Sequence, residues 1–133
     1  MIDQKIKFKR VMLIDDDTID LYIASRIITN NNFAEKIDKY TSAIKALLFL
    51  QENQDNYALL PEVIFVDIYM PLMTGFEFMV EYDKLSSDFK KLCKVYIISS
   101  SIDENDIKRA NEDCNVIAFQ VKTITKEFLN SIL

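Results

Sequence analysis

Four short strand-like runs, each ending in a polar or charged residue, constrain this chain more than any other feature. Val11–Ile14 leads into Asp15-Asp16-Asp17, Val63–Val66 into Asp67, Val95–Ile98 into Ser99-Ser100-Ser101, and Val116–Val121 into Lys122. The first three runs are apolar at every position, so neither face of such a strand can meet water. A strand buried on both faces belongs inside a parallel sheet that helices cover on both sides. The intervening stretches supply the helices. Thr18–Asn30 carries Ile19, Ile23, Ile27 and Ile28 at helical spacing and stops at Asn30-Asn31-Asn32. Ser42 to about Asn53 carries Ala43, Leu47, Leu48 and Leu50, with Thr41 or Ser42 as its cap. Gly75 to about Leu85 is amphipathic through Phe76, Met79, Val80 and Tyr82. Asp103 to about Asp113 reads as a charged, solvent-facing helix, and Thr125–Leu133 as a short final helix capped by Thr125. Lys36–Tyr40 reads as one more short strand. The expectation is a single α/β domain over residues 1–133, a doubly wound five-stranded parallel sheet with five helices and right-handed crossovers.

Composition removes several chemistries. The chain has no histidine, which excludes Ser-His-Asp and Cys-His triads and every histidine-bearing zinc site. It has one glycine, Gly75, so Gly-rich dinucleotide and Walker-type loops are excluded. The formal net charge of −5 disfavours binding to nucleic acid. Cys93 and Cys114 are too far apart in sequence for a CxxC motif and are expected to be buried thiols of a reducing compartment. No apolar run is long enough to span a membrane, and the polar start MIDQKIKFKR is unlike a secretion signal. A cytoplasmic protein is expected.

In a doubly wound sheet, ligands bind beyond the carboxyl ends of the strands. The residues placed there are Asp15-Asp16-Asp17, Asp67, Ser99 and Lys122. Carboxylates crowded together repel, and a cation or a lysine must relieve them. Two or three carboxylates with a backbone carbonyl and water make a hard oxygen site suited to Mg2+. With a lysine and a hydroxyl beside it, the set fits phosphoryl transfer, where positioning and charge neutralisation do most of the catalysis. Asp67 is the candidate nucleophile, forming an acyl phosphate.

The runs V-M-L-I-D-D-D (11–17), F-V-D-I-Y-M-P-L-M-T-G (65–75), Y-I-I-S-S (96–100) and Q-V-K-T (120–123) together resemble the receiver domain of bacterial two-component response regulators. The resemblance covers nearly the whole chain, and D-x-x-M-P-x-M-x-G is its most specific part. It implies a flavodoxin-like sheet of order 2-1-3-4-5 and Asp67 as phosphoacceptor. It implies that Asp15 and Asp16 form the acid pair holding Mg2+, Asp16 directly, with Asp67 and the backbone carbonyl of Tyr69 completing the metal set. Ser99 would bond one phosphoryl oxygen and Lys122 another, and Ser100 would be the small neighbour that leaves the phosphoryl group room. Ser99 and Phe119 stand at the switch positions, and Phe119, lacking a hydroxyl, should favour an inward state. The side chain of Tyr69 should slow attack by water through its bulk. Asp17 is expected to cap the following helix, and Met70, Met73 and Met79 to serve packing.

The implied activity is signalling rather than enzymatic, with self-dephosphorylation at most. A histidine kinase or phosphotransfer protein would donate the phosphoryl group. The added charge of about −2 would draw Ser99 and Lys122 inward and reshape a face that binds a downstream target protein. Since the sequence stops after the fifth expected helix, a stand-alone module is expected, a monomer or a dimer formed on phosphorylation. One position departs from the family pattern. Thr123 follows Lys122 where proline is usual. A cis bond without proline costs about 3–4 kcal/mol, which leaves both cis and trans open there, and with them the reach of Lys122 and the shape of the last loop. Two other readings stand beside this one. A receiver-like module could bind partners without phosphorylation. A haloacid-dehalogenase-like phosphatase would use Asp15-x-Asp17, but Ile19 stands where that family has Thr or Val.

Overall fold

The computed structural model describes residues 5–132. Five parallel strands form one sheet in the order β2-β1-β3-β4-β5: β1 (Phe8–Ile14), β2 (Ala34–Tyr40), β3 (Val63–Val66), β4 (Lys94–Ser99) and β5 (Val116–Val121). The helices between and after them are α1 (Thr18–Asn30), α2 (Ala43–Glu52), α3 (Gly75–Tyr82), α4 (Ser87–Leu92), α5 (Glu104–Glu112) and α6 (Lys126–Ser131). Leu133, the expected end of the last helix, lies outside the described residues.

Side-chain alternation along the central strands splits the interior into two layers. Met12, Ile14, Ile64, Val66, Val95 and Ile97 face a core completed by α2, α3, α4 and Ala110 of α5. Val11, Leu13, Val63, Phe65, Tyr96 and Ile98 face a second core against Leu21 and Ile28 of α1 and Leu129 of α6. Every residue of β3 is buried, as its unbroken apolar run requires. β2 lies at the sheet's edge, and its sequence AEKIDKY presents charges to water that discourage pairing with another chain.

Sequence-specific caps set the helix starts. Asp17 accepts the amides of Ile19 and Asp20, Ser42 that of Lys45, and Thr74 forms a reciprocal capping box with Glu77. Asp103 and Thr125 cap α5 and α6 in the same way.

The structure corrects the sequence reading at three points and answers a fourth that the sequence leaves open. There are six helices, not five, because Ser86 caps an additional turn whose Phe89 is buried in the first core. On α1 the buried face runs through Leu21, Ser25 and Ile28, so Ile19 and Ile23 are exposed, at 68% and 38%. Cys93 is buried as expected, but Cys114 is exposed in the turn before β5. The Lys122–Thr123 peptide bond is cis although no proline follows. The backbone there is fixed by the amide of Lys122 bonding the carbonyl of Ser99 at 2.9 Å.

Candidate functional site

The strand ladder runs one residue past the strands, and this extra rung carries the polar side chains. The amide of Asp15 bonds the carbonyl of Tyr40 at 3.0 Å, that of Asp67 the carbonyl of Ile14 at 2.9 Å, and that of Lys122 the carbonyl of Ser99 at 2.9 Å. Three residues 52 or more positions apart in sequence are thus fixed by main-chain bonds at one edge of the sheet. Their side chains converge. Lys122 Nζ lies 2.6 Å from Asp15 Oδ2, 2.8 Å from Asp20 Oδ2 and 3.1 Å from Asp67 Oδ2. The other oxygen of each buried carboxylate is held by main chain: Asp15 Oδ1 accepts the amide of Asp17 at 2.9 Å, and Asp67 Oδ1 that of Ile68 at 2.8 Å.

Electrostatics follow from this packing. Burial raises the pKa of Asp15, and the neighbouring Asp67 adds to the rise, against the opposing bonds from Lys122 and the Asp17 amide. Burial works against the charged form of Lys122, but its bonds to Asp15, Asp20 and Asp67 carry its pKa above the ordinary lysine value. The ammonium is therefore held charged. Asp16 is exposed, and one oxygen from each of Asp15, Asp16 and Asp67 lies within 4.8 Å of the others. Four carboxyl groups gather around one ammonium that faces three of them, so the pocket keeps excess negative charge. A hard divalent cation fits that donor set.

Gly75 is required by the same pocket. A Cβ at this position would lie 2.2 Å from the main-chain oxygen of Asp67, so any side chain would displace the backbone that carries the carboxylate. The amide of Gly75 bonds the carbonyl of Ile68 at 2.7 Å, closing the loop after β3 onto the start of α3.

The remaining candidates ring the pocket. Ser99 is fully buried, and its hydroxyl accepts the amide of Ser101 at 3.2 Å. Ser100 beside it is exposed. Phe119 is half-buried and packs inward against the first core. Tyr69 stands in the loop after β3 with its ring largely exposed, and its hydroxyl donates to Asp106 of α5, which also accepts the hydroxyl of Ser101 at 2.8 Å. Asp17 is engaged as the α1 cap and stands apart from the carboxylate group, which leaves an Asp15-x-Asp17 phosphatase arrangement unsupported. Met70 and Met79 are buried in the first core with Met73 packed against it.

Two participants escaped the sequence reading. Asp20 and Asp106 each lie in the first turn of a helix, where an acid is explained by the helix dipole alone. Only the fold shows that Asp20 meets a lysine 102 residues away.

The sheet is doubly wound in the flavodoxin-like order 2-1-3-4-5, with acids at the ends of β1 and β3 and a lysine at the end of β5. The family model "Response regulator receiver domain" matches residues 11–133. The chain belongs to this family, whose members are signalling modules that accept a phosphoryl group. Among solved structures, a two-component response regulator from Cytophaga hutchinsonii is 31% identical, with a TM-score of 0.85 over 96% of this chain and 93% of that one. A response regulator receiver protein from Dyadobacter fermentans shares the fold at 24% identity, with a TM-score of 0.79 over 92% and 95% of the two chains. So does the CheX–CheY complex with BeF3 and Mg2+ from Borrelia burgdorferi, at 21% identity and a TM-score of 0.71, over 90% of this chain and 81% of that one. No curated protein matches the chain. Among the described residues, no helix is long and apolar enough to cross a membrane.

Proposed function

We propose that Asp67 accepts a phosphoryl group from the phosphohistidine of a sensor kinase or phosphotransfer protein. The observation that carries this reading is the convergence of Lys122 Nζ on Asp67 at 3.1 Å and Asp15 at 2.6 Å, with Asp16 beside them. An Asp67 oxygen forms the new P–O bond as the donor's N–P bond breaks, and the imidazole leaves with the electron pair. Asp15, Asp16, Asp67 and the backbone carbonyl of Tyr69 would hold Mg2+, which would supply neutralisation of charge on the phosphoryl oxygens. Lys122 and the hydroxyl of Ser99 take the oxygens that remain. Ser100, small and exposed, leaves the entering group room.

Ser99 gives up its bond from the Ser101 amide when it turns to the phosphoryl group, and Phe119 follows it further inward. That repacks the face made by α5, β5 and α6, where a downstream target protein reads the change. The exposed apolar ridge of α1 supports docking of a helical donor near the acceptor: Ile19 and Tyr22 are 68% and 62% exposed, one turn or less from Asp20 at the pocket.

Incubation with a small acyl phosphate or phosphoramidate and Mg2+, read by intact mass, tests the reading. One added phosphoryl group is expected, absent in Asp67→Asn and absent after chelation. Undiminished uptake by Asp67→Asn would overturn the assignment.

A further inference from the structure

We propose that Asp20 is a positioning residue that gives Lys122 a second resting place, so that a divalent cation can claim Asp15 and Asp67. This rests on the metal reading above. Lys122 has three N–H donors, and its ammonium faces three carboxylates: Asp15, Asp20 and Asp67. Two of these belong to the group that can hold a metal; Asp20 does not. The ammonium is therefore an internal competitor for the cation's own ligands. A largely buried lysine such as Lys122, 16% exposed, would have to be expelled or left unpaired when the cation enters if it had no other partner, and an unpaired buried charge is costly. Asp20 removes that conflict. It projects from the first turn of α1, its side chain is 38% exposed against about 10% for Asp15 and Asp67, and it lies 2.8 Å from Nζ. When the cation takes Asp15 and Asp67, Lys122 keeps Asp20. The amine stays charged and beside the acceptor, ready for the phosphoryl oxygens.

Removing Asp20 also removes one negative charge from the neighbourhood, which would weaken cation binding by itself. The two effects separate through Lys122. Calorimetric titration with MgCl2 should show Asp20→Asn binding about tenfold more weakly than the unaltered chain, within the coupling expected between groups in contact. In a Lys122→Met background, the same substitution should cost about twofold or less, because no ammonium is left to place. Equal losses in the two backgrounds would overturn the proposal. A second measurement does not need the double variant to be stable. At about 1 M KCl the screening length falls to about 3 Å, so a loss caused by distant charge fades while a loss caused by the competing ammonium persists. Disappearance of the Asp20→Asn deficit at that salt concentration would likewise overturn it. If the unaltered chain shows no saturable uptake of Mg2+, the metal reading itself falls, and this inference with it. Saturable uptake without a Lys122-dependent deficit removes only the role of Asp20.

Discussion

Two places in this molecule bury groups able to carry charge, and they treat them in opposite ways. At the carboxyl edge of the sheet, Asp15 and Asp67 each lie within about 3 Å of the Lys122 ammonium, so a cation stands against both carboxyl groups. Beneath α3 and α4, the Tyr82 hydroxyl and the Cys93 thiol lie in the first core with Phe78 and Phe89. Burial pushes the thiol up to about 12 and pushes the phenol up as well, so both stay neutral. The difference separates a site from a core. Paired charges can be exchanged for a metal ion or a phosphoryl group with little net change in burial. Neutral buried groups can only pack.

Removing the shared cation should break that contrast most severely. Lys122→Met leaves Asp15 and Asp67 facing each other with little water, so the metal-free protein should lose about 3 kcal/mol in urea denaturation. Added Mg2+ should restore part of the loss, since a divalent ion can occupy the place of the amine. A change below about 0.5 kcal/mol would mean that the carboxylates were never charged together.

Alkaline titration should sharpen the contrast by separating the two regions along the pH axis. In the unfolded chain a cysteine thiol ionises near 9.0, while folded Cys93 holds its proton up to about 12. From about pH 9 the unfolded state binds fewer protons than the folded one, so stability falls as pH rises. Tyr82 adds to the fall from its ordinary value of 10.0 upward. Lys122 acts later. Its folded pKa is raised above 10.5, so its stabilisation is whole below that value and is lost as pH climbs through the folded pKa. Urea midpoints measured from pH 8 to pH 11 should decline first through Cys93, by at most about 1.4 kcal/mol per pH unit for that group. Cys93→Ala should delay the onset. An unchanged onset in that variant would place the early titration elsewhere.

Much of this arrangement could be read from sequence because the strands announce themselves. A wholly apolar run of four residues such as Val63–Val66 can sit only where both faces are covered, and the residue after it must then lie on the rim. Asp15 and Asp67 were legible for that reason and Asp16 by adjacency, while Lys122 was placed only by reading Val116–Val121, Gln120 included, as one more strand of the same sheet. The stripe of α1 was legible only in part: Ile27 and Ile28 turn to the second core, but Ile19 and Ile23 face solvent while the smaller Ser25 takes a buried position. α4 was missed because six residues with a single buried side chain, Phe89, show no period. Asp20 was missed for a different reason. Its role exists only once β5 is laid beside the rest of the sheet and Lys122 arrives from the far end of the chain.

The smallest effect tests the neutral side of the comparison. The Tyr82 hydroxyl is fully enclosed and makes no hydrogen bond of good geometry, although the Cys93 thiol is close enough to interact with it. A buried donor without a partner carries its desolvation cost uncompensated, so deleting the oxygen should be neutral or should stabilise the fold by up to about 1 kcal/mol. The ring must stay, because it packs between Phe78 at 6.1 Å and Phe89 at 5.9 Å. Tyr82→Phe keeps those contacts and removes only the hydroxyl. Its urea midpoint at pH 7 should match or exceed that of the unaltered chain, and phosphoryl uptake at Asp67 should not change. A loss of more than about 1 kcal/mol would show that the hydroxyl is bonded after all. The core beneath α3 would then hold a polar network of its own, and the division between a charged edge and a merely packed interior would no longer describe the molecule.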